Sequence, residues 1–424
     1  MKQQRRVRDG GDRVGSVSRG FAAAAVLLCA IGSASAQTSS PAEGGPAATG
    51  VEAGGAPATP EGAQNPPPQV QVEPAPDGFR VGLFTFRPGG RIKLDIIKDF
   101  DALTSEDSFD PRTIVVPEID GANSRIHARE TRLFLDIRAP VGAEAKELRM
   151  YIETDFYGSS STIRLRHAYG SYGGLLAGQT WTNFLDPDNF PATIDFESPM
   201  AFPSFRQAQL RYTAKLNDQT SWAVSVEDNN SQITNPSVPG KAEYPSPDLT
   251  TSIRFGGAAG HVFASFFLGK ARYRPTVGEP DDVTLWGSNL SARLKTYKSD
   301  YVYGQFTFGD GVGRYRGGVT AVPDATGELK AVGLTAVMGG YEHFWSSRFT
   351  SHFVYSVAQS EDHDYYPATF NGQLDYAAIN FLYWFLPNNR AYAGVEYLHG
   401  RRELVSGDDA SANRLHFAVR FNLP

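Results

Sequence analysis

From about residue 90 onward, apolar and polar residues alternate along most of the chain. In the final stretch Leu415, Phe417, Val419, Phe421 and Leu423 alternate with Arg414, His416, Ala418, Arg420 and Asn422. Near 147–157, Leu148, Met150, Ile152 and Phe156 alternate with Arg149, Tyr151, Glu153 and Asp155. Successive side chains of a strand point to opposite faces, so each segment predicts a strand with one greasy and one charged face. Sixteen such strands are predicted, the first eight near 90–98, 125–137, 147–157, 162–171, 174–181, 206–214, 219–228 and 248–256. The rest fall near 260–270, 284–296, 300–308, 330–342, 347–358, 374–385, 389–399 and 413–423. Most have nine to eleven residues, the length a tilted strand needs to cross a bilayer. Gly173-Gly174, Asn217-Asp218 and Pro387-Asn388-Asn389 punctuate them as turns. An even count lets the sheet close with both ends on one side.

In STIRLRHAYG (161–170), Ile163, Leu165 and Tyr169 fall on one side and Thr162, Arg164 and Arg166 on the other. In a water-soluble sheet the apolar face would enter a core. In an inside-out barrel it meets lipid, and the arginines line a water-filled lumen. A secreted all-β sandwich or propeller also alternates. Ten-residue strands with Arg-, Glu- and Asp-rich faces are long for sandwich strands, and a mean hydropathy of −0.33 suits two wet surfaces. Aromatics gather near strand ends (Tyr301, Tyr303, Phe306, Phe308; Tyr383, Trp384, Phe385), as interfacial girdles require. The expectation is an all-β fold, a transmembrane antiparallel β-barrel of about 16 strands over residues 81–424.

The N-terminus adds a compartment. Six basic residues, the apolar run Phe21–Ile31 and then Ala34-Ser35-Ala36 have the order of a secretory signal peptide, so residues 1–36 are expected to be cleaved. The eleven apolar residues fall short of the roughly 20 that a membrane helix needs. Cys29, the sole cysteine, lies in this signal, so the mature chain has no disulfide or thiol chemistry. Losing the signal carries the formal charge from −6 to −10, which argues against a nucleic-acid partner. Residues 37–80 are rich in Pro, Ala and Gly and are expected to form a disordered periplasmic segment.

The stretch LRHAYGSYGGLLAGQTWTNFLDPDNFPATIDFESP (165–199) and then FRQAQLRYT (205–213) resemble DcaP-like outer-membrane porins. GRIKLDIIKDF (90–100) and ELRMYIETDFYG (147–158) fit the same family, and the likeness to phosphate-selective porins is more distant. The resemblance implies a sixteen-stranded homotrimeric porin in the outer membrane of a Gram-negative bacterium. It further implies passage of small anions, with dicarboxylates as the substrate class. Two departures stand out: a Pro/Ala-rich segment replaces the family's periplasmic helix, and the chain ends Phe421-Asn422-Leu423-Pro424 rather than on an aromatic.

Residues 182–205, after the fifth strand, hold Asp186, Asp188, Asp195 and Glu197 among phenylalanines and four prolines that forbid a regular element. A loop this long is usually functional. Folded inward it would narrow the lumen, with its carboxylates shaping the opening. By strand parity the lumen-facing bases are Lys93, Arg132, Arg164, Arg166, Arg211, Arg254, Arg293 and Arg420, with Arg206 at the mouth of the sixth strand. Rings of such bases favour anions, and the planar arginine fork suits carboxylates. Asp95, Glu130, Asp136, Glu153 and Asp155 share that face and oppose them. No P-loop, HExxH or GxSxG occurs, so no enzyme, metal or cofactor is expected; Asp186-Pro-Asp188-Asn189 alone has oxygens a calcium ion could use. The reading is a passive diffusion channel for small hydrophilic solutes, preferentially anions. A phosphate-type or non-selective porin is one alternative, and a secreted soluble β-protein that binds or hydrolyses carbohydrate is another.

Overall fold

Sixteen antiparallel strands close into one barrel in the computed structural model, which describes residues 72–75, 78–229, 231–233, 239–316, 318–324 and 326–423. The expected signal, 1–36, lies outside the described residues. In chain order the strands are β1 (Phe84–Asp101), β2 (Asp120–His127 continuing as Arg132–Val141), β3 (Lys146–Asp155), β4 (Arg164–Tyr172), β5 (Leu175–Trp181) and β6 (Arg206–Lys215). Then come β7 (Thr220–Glu227), β8 (Asp248–Gly257), β9 (Gly260–Pro275), β10 (Asp281–Lys295) and β11 (Tyr301–Asp310). β12 (Gly333–Phe344), β13 (Phe349–Ser360), β14 (Asn371–Leu386), β15 (Ala391–Leu404) and β16 (Asp409–Asn422) complete the wall. Each pairs with its neighbour, and β16 closes on β1 from Arg414↔Asp99 to Asn422↔Arg91. Among the described residues the only helices are short 3-10 turns, so strands alone cross the membrane.

All sixteen predicted strands are present, and four details differ. The second is interrupted at 128–131, and its two halves pair with different parts of β1. Val72–Ala75 pairs with Gly78–Val81, which pairs with the start of β1, so ordered backbone begins before the expected boundary at residue 80. Tyr169 is not on the greasy face with Ile163 and Leu165. A bulge opposite Glu153 and Thr154 turns both Arg166 and His167 inward, and Tyr169 then rests against Tyr151 and under Arg149 inside. Tyr303, expected in a girdle, is buried on the inner wall.

The outer face carries the apolar belt. Ile92, Leu94 and Ile96 of β1, Phe349, Phe353 and Tyr355 of β13, and Ile379, Phe381 and Tyr383 of β14 are all exposed, which places them against lipid. This belt replaces the soluble-sandwich alternative. One end has turns as short as Gly173-Gly174 and Asn388-Asn389, where positive φ values at both residues suit tight hairpins. The long connections lie at the other end, which marks it as extracellular.

The inner wall has two unlike halves. From β9 to β16 it offers Phe267, Leu285, Tyr303, Met338, Val354, Tyr376 and Leu398, and the inward-folded loops dock there with Phe109, Phe184, Phe202 and Tyr315. Each of these buried aromatics contributes about 1.5–3 kcal/mol of apolar burial. Between β1 and β6 the inner wall is charged, and that arc stays open.

Candidate functional site

The 182–205 loop crosses the lumen and is held at almost every step. At its start Thr182 Oγ1 donates to Glu227 at 2.6 Å and the Asn183 N–H to the same carboxylate at 2.8 Å. Asp186, fully buried, accepts from Ser291 Oγ at 2.7 Å and lies 2.8 Å from His261 Nε2. Asn189 donates to the Gly304 carbonyl at 3.1 Å. At the tip, buried Glu396 of β15 accepts the N–H groups of Ile194 and Asp195, both at 2.8 Å. Gly394 leaves room for this approach, since a Cβ there would lie 2.8 Å from Ile194 Cδ1.

Asp195 in turn accepts from the Phe109 N–H at 2.9 Å and from Arg414 Nη1 at 3.0 Å. Burial pushes its carboxyl up, but His416, Arg414 and that N–H outweigh it and hold the group at about 2. Arg316 pairs with Glu197 and caps the Pro199 carbonyl at 3.2 Å. Asp188 alone is exposed, 2.8 Å from Arg254 Nη1. Arg254 is also 3.7 Å from Asp186, a fixed cation beside the oxygens a calcium ion would have used. The loop carboxylates are therefore anchors rather than free charges around the opening.

Between this loop and the β1–β6 arc lies a cavity of about 640 Å³. Arg91, Lys93, Arg132, Arg164, Arg166, Arg206 and Arg420 line it with Glu130 and Glu153, and Trp181, Phe190, Phe196 and Tyr392 add aromatic surface. Ladder register sets Arg91 opposite Arg132, and Lys93 opposite Arg420, so bases on neighbouring strands stand side by side.

Their partners differ. Asp155 holds Arg164 at 2.7 Å and Arg166 at 2.8 Å. Glu130 takes Arg91 and Lys93, leaving Arg132 3.6 Å away from it and 4.0 Å from Glu153. Among the described residues Arg206 and Arg420 have no carboxylate within 4.0 Å. Arg206 lies over Trp181 with its guanidinium carbon 4.3 Å from the ring centroid, and Arg420 lies 4.6 Å from that of Tyr392. An aromatic face orients a guanidinium without neutralising it.

Parity thus brought five of its eight bases to one cavity, Lys93, Arg132, Arg164, Arg166 and Arg420, and Arg206, expected at the mouth of the sixth strand, joins them. Lys93 serves there as a clamp, its Nζ donating to the Ile194 carbonyl at 2.5 Å. Arg211, Arg254 and Arg293 lie outside it. Arg211 is bonded to Gln209 and the Trp181 carbonyl, Arg254 to Asp188, and Arg293 to Glu342. Arg91 was missed although it shares the parity of Lys93. Glu396 likewise has lumen parity, whereas Arg316 sits in the 311–332 loop, where no periodicity exists to place it.

A closed sixteen-stranded barrel, apolar outside, narrowed by an inward loop and lined by charge, is a porin. The chain belongs to the DcaP outer membrane protein family, whose model matches residues 84–423, and it resides in the outer membrane. Its structure is similar to that of the outer membrane channel DcaP of Acinetobacter baumannii, at 27% identity, covering 80% of this chain and 97% of that one, with a TM-score of 0.71. It shares the fold alone with the anion-selective porin from Comamonas acidovorans, at 10% identity and TM-score 0.56, covering 80% and 99% of the two chains. The same holds for OmpT of Vibrio cholerae, at 11% and 0.52, covering 81% and 99%. No curated protein matches this chain in sequence.

Proposed function

We propose that this porin is a passive diffusion channel that favours small anions, dicarboxylates foremost, working as a homotrimer exported through a cleaved signal at 1–36. The residues up to about 71 would form a spacer on the periplasmic side. The single observation behind the anion preference is the pair of guanidiniums, Arg206 and Arg420, that face the cavity without carboxylate partners. Arg132 adds a third that is only loosely matched. Charge fixed on a wet wall without a counter-charge recruits mobile anions. Several forks on one arc can take both ends of a short dicarboxylate, each by two parallel hydrogen bonds. The test is the reversal potential of purified protein in a planar bilayer across a salt gradient, with succinate then added to look for current block. A potential favouring cations overturns the anion reading, and succinate no more effective than chloride at equal charge overturns the dicarboxylate one.

A further inference from the structure

The outer wall changes character where β9 and β10 rise past the lipid belt. On β9 the outward positions run Phe266, Leu268, Lys270, Arg272 and Arg274, three bases after two exposed apolar residues. β9 begins at the short turn 258–259, so the bases lie toward the extracellular end. Leu268 shares a ladder row with Leu249 of β8 and Trp286 of β10. Trp286 Nε1 donates to Asp310 of β11 at 2.9 Å on the outer surface, and tryptophans gather at membrane interfaces. Two residues of strand rise about 7 Å, which carries Lys270 from that row to headgroup level. A fourth base joins from the short strand Gly240–Glu243, whose ladder sets Lys241 opposite Arg274 and Glu243 opposite Arg272. The acids beside these bases are engaged. Asp282 accepts from Arg272 Nη2 at 2.8 Å, and Glu243 accepts from Arg274 at 2.7 and 3.2 Å. Glu279 lies farther out, in the turn at 276–280. Lys241 and Lys270 are exposed, and among the described residues neither has a carboxylate within 4.0 Å.

The rest of the rim is unlike this. Toward the same end, the outward positions of β11 to β14 offer Asp310, Thr335, Gln359, Gln373 and Asp375, with no lysine or arginine. We infer that the outer wall of β8–β10 binds the phosphates of a phosphorylated glycolipid in the outer leaflet, with Lys241 and Lys270 as the principal contacts. Arg272 and Arg274 sit in exposed ion pairs, which are worth little in water, so their guanidiniums can turn to the same phosphates. The acyl chains would run down the exposed faces of Leu249, Leu268 and Phe266. A soluble anion would use only the charge; a lipid uses the charge and the apolar wall beneath it. The inference concerns the outside of the barrel and stands whether or not the lumen prefers anions.

The full chain, purified in mild detergent, would be titrated with fluorescent lipid A bearing its phosphates and with the same lipid after dephosphorylation. Inorganic phosphate would serve as competitor. Each lysine at an anionic lipid surface is worth roughly fivefold, so Lys241→Ala with Lys270→Ala should weaken lipid A binding about 25-fold. Lys215→Ala with Lys298→Ala makes the same charge change at the periplasmic end and should leave binding as it was. All four lysines are exposed, so both double variants should keep the heat-modified migration of a folded barrel. Equal binding of the dephosphorylated lipid, or an equal loss in both double variants, overturns the inference. Full displacement by millimolar inorganic phosphate overturns it too, since that outcome marks a site for free anions.

Discussion

Arg206 and Arg420 can be tested quantitatively, because among the described residues neither has a carboxylate within 4.0 Å to pair with. A carboxylate brought to about 4 Å from one guanidinium gains about 1 kcal/mol at the dielectric constant of water, and about 4 kcal/mol at an effective value near 20. The cavity is wet, so the lower figure applies, and about 1 kcal/mol is roughly a fivefold change in anion partition. A cation is repelled by a similar amount, so Arg206→Ala should lower the anion-to-cation permeability ratio by up to about 25-fold, and by less once mobile ions screen the site. The assay is the zero-current potential of single channels at about 0.1 M salt, where the screening length is roughly 10 Å; at 1 M it falls to about 3 Å and the effect should fade. Arg206→Lys keeps the charge but not the planar fork, so it should hold chloride selectivity while weakening block by succinate. If Arg206→Ala together with Arg420→Ala leaves the permeability ratio within twofold, the unpaired guanidiniums are not the source of selectivity.

The loop clamps make three further predictions. Glu396→Ala strands the N–H groups of Ile194 and Asp195, at about 1–3 kcal/mol each; single channels should become noisier and larger in conductance while heat-modified migration of the barrel on gels stays unchanged. Unaltered traces would show the loop is held elsewhere. Asp195, at about 2 in the folded chain against roughly 3.9 unfolded, lends stability that is complete above about pH 4 and is lost as pH falls towards 2. Current noise should therefore rise between pH 4 and 2 and stay flat from 5 to 7, and Asp195→Asn should show the noise already at pH 7. Gly394→Leu forces a side chain into space bounded by Leu382 and Ile194; such overpacking costs about 1–3 kcal/mol, measurable as a lower unfolding temperature in detergent.

The strands were legible because period-2 alternation is set by two solvents, and in a barrel both faces carry the signal along every strand. Along β9 the run from Val262 to Leu268 has Phe263, Phe266 and Phe267 in a spacing that strict alternation does not give. In the structure Phe263 and Phe267 point inward, where Phe267 packs on Phe184 and Tyr315, while Phe266 faces outward. An apolar inner wall is invisible to a rule that equates lumen with polar. Tyr169 was misplaced because one bulged residue reverses parity for all that follow in the strand, and STIRLRHAYG contains no glycine before the bulge to announce it. Parity also says which face a base occupies but not which acid reaches it, so Arg293 and Arg420 looked equivalent. Glu342, on β12 and outside the set of expected acids, is what separates them.

Net charge is therefore a poor guide to what passes through this lumen. The mature chain carries an expected −10, yet the acids lining the cavity are spent: Glu130 on Arg91 and Lys93, Glu153 on Arg166, Glu197 on Arg316, and Asp195 on Arg414 and backbone N–H groups. A carboxylate that is desolvated and bonded on several sides has its field closed by its partners within a few ångströms. A guanidinium held over Trp181 or Tyr392 with no carboxylate at hand keeps its charge uncompensated, and its field reaches the solute path. Placing aromatic rings under the arginines and backbone or cationic donors around the acids leaves positive charge uncancelled in an acidic protein. An acid added to the cavity lining on the neighbouring strand, as in Gln179→Glu, should then undo the selectivity as effectively as removing the arginine, even though every base remains in place.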